Sequence, residues 1–96
     1  MSKNRFSART DKNQASIVES LRFMGYSVYL DVDDILVGTK GKNYWFEIKD
    51  PKHIGKDGKI RESAKKEGQK KLEKEWQGHY EIVSSLDEVL NAINEG

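Results

Sequence analysis

The stretch from Asp33 to Asp50, D-D-I-L-V-G-T-K-G-K-N-Y-W-F-E-I-K-D, leaves the chain few ways to fold. It holds two apolar runs, residues 35–38 and 43–49, separated by the turn Lys40-Gly41-Lys42. Asp50-Pro51 closes the second run, because proline cannot extend a hydrogen-bonded ladder and restricts the residue before it. Side chains alternate along a strand, so Tyr44, Phe46 and Ile48 point toward a core while Trp45, Glu47 and Lys49 share the opposite face. If the two runs pair across the turn, Asp34 returns beside Glu47. Two carboxylates and an ammonium then converge on one side of a sheet, a set of groups that suits a hard divalent cation with a water beside it. The structural alternative is an exposed same-face ion pair, with Asp34 merely opening a strand.

The flanking segments build a domain around this hairpin. Thr10 or Asp11 caps a helix whose apolar face is Ile17, Val18, Leu21 and Met24, and Gly25 ends it. Residues 26–30 read as a strand and residues 31–33 as a turn. Residues 51–62 carry no periodic pattern, which in so small a domain points to a flap beside Lys49 or to a weak hairpin around Asp57-Gly58. Ser63 caps a second helix over residues 64–77, with a narrow stripe of Ala64, Leu72 and Trp76 and a basic face of Lys65, Lys66, Lys70 and Lys74. Gly78 breaks it. Residues 79–84 read as a fourth strand, and Ser85 with Glu88 forms a capping box for a last helix with Leu86, Val89, Leu90 and Ile93 inward. Helix, three strands, helix, strand, helix is an α/β domain around a mixed central sheet. Residues 1–10 read as a flexible basic arm and residues 11–96 as one domain with one core. Tyr44, Phe46 and Trp76 are read as core, whereas Trp45 lines the cleft or covers the sheet.

Composition narrows the chemistry. Without cysteine there is no disulfide framework, thiolate zinc site or cysteine nucleophile. His53 and His79 are isolated, which disfavours an imidazole metal site. The opening M-S-K-N-R-F-S-A-R-T lacks an apolar signal core and no stretch has the length to span a bilayer, so a soluble cytoplasmic protein without a membrane partner is expected. The net charge of +1 conceals blocks of one sign. Residues 40–74 carry twelve basic and six acidic side chains, whereas residues 75–96 carry five acidic and no basic ones. The basic block brackets Glu47 and Lys49, as expected if a polyanion approaches that side; a solvated Lys/Glu-rich helix accounts for it equally well.

The pattern helix, strand, D-I-L-V-G, turn, Y-W-F-E-I-K, helix with Gln69, strand resembles the PD-(D/E)XK nuclease superfamily. Within it the chain is most similar to the small stand-alone VRR-NUC domains of phages, which are related to archaeal Holliday-junction resolvases. R-T-D-K-N-Q-A-S-I-V-E-S-L-R-F-M-G resembles their opening helix and W-Q-G-H-Y-E-I-V-S-S-L-D-E-V-L their ending, so the likeness runs from about Arg9 to Ile93. A lone E-x-K recurs by chance; E-I-K closing an aromatic strand one hairpin after D-I-L-V-G is far more specific.

The resemblance implies a restriction-endonuclease-like fold and a metal-dependent, structure-selective DNA endonuclease. The implied product is a Holliday-junction resolvase working as a homodimer on branched or four-way DNA, in a phage-infected host cytoplasm. It implies Mg²⁺ as cofactor, with Mn²⁺ able to replace it, held by Asp34, Glu47 and the backbone carbonyl of Ile48. Lys49 and Gln69 then act on the water and phosphate; Lys65, Lys66 and Lys70, from the basic face of the second helix, are the candidate phosphate contacts, and Gln14 is either a DNA contact or a surface residue. Two positions depart from the family pattern. Asp33 stands where a proline usually precedes the motif aspartate, adding a carboxylate near the site. Gln14 stands where the first helix often carries an acid, which removes a charge a second metal would use. The other readings are a nickase or flap nuclease without junction preference, and a non-catalytic nucleic-acid-binding protein on the same fold. Intact Asp34, Glu47 and Lys49 disfavour the last, since folding alone does not call for three charges there.

Overall fold

The computed structural model describes residues 12–32 and 34–95. The basic arm read over residues 1–10, the capping Thr10 or Asp11, and Asp33 lie outside the described residues. One sheet contains β1 (Ser27–Leu30), β2 (Asp34–Thr39), β3 (Lys42–Ile48) and β4 (Tyr80–Val83), in that spatial order. The first three strands form an antiparallel meander, and β4 runs parallel to β3. A parallel neighbour needs a crossover, and the chain makes it through α2 (Glu67–Glu75). Helix α1 (Lys12–Phe23) precedes the meander and α3 (Leu86–Glu95) follows β4. The protein is thus a small α/β domain with a four-stranded mixed sheet flanked by helices, in the element order expected from the sequence.

The β2–β3 hairpin turns on Lys40 and Gly41, both at positive φ (53° and 78°). That two-residue geometry matches the twist of the strands it joins. It sets the register Asp34↔Glu47, Ile35↔Phe46, Leu36↔Trp45, Val37↔Tyr44. Alternation then sends Ile35, Val37, Tyr44, Phe46 and Ile48 into the core, where they meet Ile17, Val18 and Leu21 of α1, Val83 of β4, and Val89 and Ile93 of α3. Phe46 and Leu21 are wholly buried, each contributing roughly 1.5–3 kcal/mol through the apolar area removed from water. The opposite face of the sheet carries Asp34, Trp45 and Glu47.

Helix α1 ends where Gly25 adopts φ 97°. Tyr26 N–H reaches back to the Leu21 carbonyl and Gly25 N–H to that of Arg22, both at 3.0 Å, a pairing that satisfies the last turn. Met24 lies beyond that turn and is half exposed, so it does not join the core with Ile17, Val18 and Leu21. The second helix also starts later than expected. Ser63 sits inside a short 3₁₀ turn (Glu62–Ala64), and α2 opens at Glu67 because the Gln69 side chain accepts the Lys66 N–H at 2.9 Å. Residues 51–62 take the hairpin alternative: Ile54 bridges Ile60, Gly55 N–H donates to the Lys59 carbonyl at 2.7 Å, and Gly58 sits at φ 81°. No described helix is long and apolar enough to cross a membrane.

The capping box forms with a shift of one residue. Glu88 N–H donates to Ser85 Oγ at 3.2 Å, while Glu88 Oε1 accepts from Ser84 N–H at 2.7 Å. Ser85→Ala is therefore expected to lower stability by about 1 kcal/mol, read as a lower midpoint of urea unfolding at unchanged slope.

Candidate active site

Asp34 opens β2 and Glu47 lies opposite it on β3, so the register alone brings the two carboxylates to one face. Lys49 follows Glu47 on the same side, with its Nζ 3.9 Å from Glu47 Oε2. Both side chains are largely enclosed, 14% exposed for Lys49 and 4% for Glu47, far from the solvated surface ion pair that was the structural alternative. The backbone of Lys49 is pinned on both sides. Its N–H donates to the Val83 carbonyl at 2.8 Å, and its carbonyl accepts from Asn13 Nδ2 at 3.0 Å. The same Asn13 amide reaches the Ser84 carbonyl at 2.9 Å, tying α1 to the ends of β3 and β4. Ile48 lies one residue beyond the pair Asp34–Glu47.

Trp45 holds the other carboxylate: its indole Nε1 donates to Asp34 Oδ2 at 3.2 Å. Asp34 and Glu47 share a cleft of about 390 Å³ with Asp31, Lys66, Gly68, Gln69, Leu72 and Tyr80. Gln69 is thus at the cleft, as expected, but its Oε1 is engaged in capping α2, which leaves its amide N–H groups as donors. Tyr80 is a cleft residue the sequence reading missed. Its hydroxyl is buried and has no hydrogen-bond partner among the described residues. Burial, and then the negative charges of Glu47, Asp34 and Glu73, push the phenol well above its usual range, so it stays a proton donor at any physiological pH. A buried donor beside two carboxylates calls for an oxygen-bearing occupant.

The other expected contacts divide. Lys66 is exposed and lines the cleft. Lys70 is half-buried, 4.0 Å from Glu67. Lys65 is not available as a phosphate contact: its Nζ lies 3.0 Å from both Glu62 and Glu73, and its side chain is only 10% exposed. Burial lowers its pKa, but the hydrogen bonds and charges of Glu73 and Glu62 outweigh that and hold it above the ordinary lysine value. Gln14 is also enclosed, 2% exposed, with its amide 3.5 Å from the Asp31 carbonyl. It packs behind the cleft and does not present itself to a DNA backbone. Trp76, read as core, is half exposed and stands edge-on to Trp45 at 5.2 Å. Tyr44 and Phe46 are core as expected.

No protein-family model matches this chain, and no curated protein or solved structure matches it. The chemistry must therefore be read from the cleft. Among the described residues no group of three or more histidine, cysteine, aspartate or glutamate side chains gathers to hold a metal. Of the three carboxylates on the cleft, Asp31 accepts the Val32 N–H, which leaves Asp34 and Glu47 with no nitrogen or sulfur ligand beside them, a donor set that fits Mg²⁺, which is bound by one or two carboxylates and keeps several waters. A larger hollow of about 680 Å³ lies along residues 55–65, but its acids are occupied. Glu62 and Glu73 pair with Lys65, Asp57 accepts the Lys59 N–H, Glu81 lies 3.4 Å from His79, and Glu88 caps α3.

If the cleft takes a polyanion, Lys66→Ala should shorten the salt dependence of DNA binding by about one counterion. Lys65→Ala should leave that slope unchanged while lowering stability, because it strands Glu73. Binding isotherms at several salt concentrations, beside thermal unfolding, read both.

Proposed function

We propose that the protein is a Mg²⁺-dependent endonuclease with a restriction-endonuclease-like fold of the PD-(D/E)XK type, cutting branched DNA as a homodimer. The observation that carries this reading is the convergence of Asp34, Glu47 and Lys49 at one end of the β2–β3 hairpin, with Asp34 and Glu47 lining a cleft that also holds Gln69, Tyr80 and Lys66. Asp34, Glu47 and the Ile48 carbonyl would hold the metal ion. When bound, that ion supplies Lewis-acid polarisation of the scissile phosphate and a water acidified enough to attack at neutral pH.

The chain's own groups do the rest. Trp45 fixes the rotamer of Asp34 through the 3.2 Å hydrogen bond. Lys49, held by Asn13 and Val83 through its backbone, places a positive charge where negative charge grows on the phosphoryl oxygens. The Tyr80 hydroxyl and the Gln69 amide donate to phosphate or water oxygens. Lys66 at the rim meets a neighbouring phosphate. Resolving a four-way junction takes two symmetric nicks, and one small domain carries one site, so a two-fold pair of chains supplies both.

The test is cleavage of labelled four-way junction, flap and plain duplex DNA in Mg²⁺ or Mn²⁺, beside sedimentation of the free protein. Paired symmetric nicks in the junction by a dimer are expected. Equal cutting of all three substrates would retain the nuclease and discard branch selectivity, and binding without cutting in either metal would leave a nucleic-acid-binding module.

A further inference from the structure

The sheet face that carries the carboxylates also carries a row of apolar side chains, mostly aromatic, of which only the Trp45 indole N–H and Tyr80 serve the acid pair. Cross-strand register places Tyr29 beside Leu36, Leu36 beside Trp45, and Trp45 beside Tyr80, one residue from each of the four strands. Tyr29 is 72% exposed and Leu36 38%. Trp76 stands against the row from the end of α2, perpendicular to Trp45 and 51% exposed. Its indole is backed by the chain itself, since a Cβ at Gly78 would lie 3.0 Å from Trp76 Nε1. Apolar surface is therefore left open on both sides of Trp45.

The adjacent row on the same face is Asp34, Glu47 and Ile82. Two residues along a strand separate the rows, about 7 Å, and the Trp45–Asp34 hydrogen bond joins them. We propose that the Tyr29–Leu36–Trp45–Trp76 surface is a stacking platform for an unpaired nucleobase at the cleavage position. This deepens the endonuclease reading and rests on it for the placement of the phosphate over Asp34 and Glu47.

Two features select a nucleotide as occupant. The spacing of the rows suits a phosphate over the acids with a base on the rings. Lys66 lies on the same cleft, giving a cation for a flanking phosphate. A base inside a duplex has both faces stacked already, so the platform takes only a base that has left the helix, and aromatic stacking does not depend on which base it is. The substrate class is thus nucleic acid with a splayed or single-stranded nucleotide at the cut, and the preference comes from the rings and not from base-edge contacts.

Trp45 and Trp76 are the two tryptophans of the chain, so intrinsic indole fluorescence reports on this surface and, through the Trp45–Asp34 hydrogen bond, on the acid pair, which is why the intact and abasic substrates are compared at one Ca²⁺ concentration. The experiment titrates the protein with flap DNA in Ca²⁺, an oxygen-seeking cation used to hold the substrate uncut, comparing an intact nucleotide at the branch with an abasic one of equal charge. The intact flap is expected to quench the emission and to bind about tenfold more tightly or better. Tyr29→Ala, on an exposed edge position, and Trp76→Ala should each reduce that ratio severalfold. Equal affinity for intact and abasic flaps would overturn the platform. So would emission that changes with protein concentration in the absence of DNA, together with sedimentation of a larger species, which would assign the surface to a second copy. Cleavage in Mg²⁺ is scored separately. A preserved base preference without cutting supports the platform and removes the nuclease; cutting without base preference does the reverse.

Discussion

Lys49→Ala is expected to slow cleavage by a hundredfold or more, on the order of the loss when one preorganised transition-state contact is removed from an enzyme, with DNA affinity changed little. Three structural facts set this expectation. The Lys49 ammonium lies 3.9 Å from Glu47 Oε2, its side chain is 14% exposed, and its backbone is held at both N–H and carbonyl. A side chain this enclosed carries its charge beside Glu47 in a partly desolvated setting, where charges interact more strongly than in water. Lys49→Arg keeps the charge but carries it on a longer, planar group and should recover only part of the rate. Single-turnover cleavage with protein in excess measures the chemical step, and circular dichroism checks that each variant is folded. A rate unchanged in Lys49→Ala would take this residue out of the chemistry.

Phe46→Ala is expected to cost about 3–5 kcal/mol of stability, much of what a domain of this size has. Phe46 is fully buried and sits on β3 between Trp45 and Glu47, opposite Ile35. Its ring fills the space between the sheet and the helices α1 and α3, while its two neighbours in sequence face the cleft. Because strand alternation has a period of two, the core grip of Tyr44, Phe46 and Ile48 is what keeps Trp45 and Glu47 on the functional face. Urea titration followed by circular dichroism should show the loss as a shifted midpoint. Metal and DNA affinity in the residual folded fraction should fall as well. Retention of near-native stability would mean that the core closes over the lost ring.

The parts of the fold and site that were legible in the sequence are those made by neighbours in the chain. Alternation from Tyr44 to Lys49 and a Gly-containing turn are enough to pair Asp34 with Glu47. Ser85 and Glu88 announce the last helix for the same reason. What escaped depends on contacts between distant segments. Asn13 meets Lys49 across 36 residues and Ser84 across 71, and no local pattern marks it. Tyr80 reaches the cleft only because β4 pairs parallel to β3 with Trp45 opposite Tyr80.

Other residues changed role for local reasons. Lys65 belongs to a basic run by composition, yet Glu62 and Glu73 close around it. Gln69 caps its own helix as well as facing the cleft. Trp76 keeps helical spacing from Leu72 but falls at the end of α2, where it packs on Trp45 and its remaining surface stays open.

The mixed sheet has a consequence for how the molecule assembles. The meander of β1, β2 and β3 closes through short loops, whereas β4 must return to β3 across the hairpin of residues 51–62 and α2. Short loops close early and at small entropic cost, and a long parallel crossover closes late. The Asp34–Glu47 pair should therefore come together in the first folding events, and the wall formed by Tyr80 and Gln69 only after β4 docks.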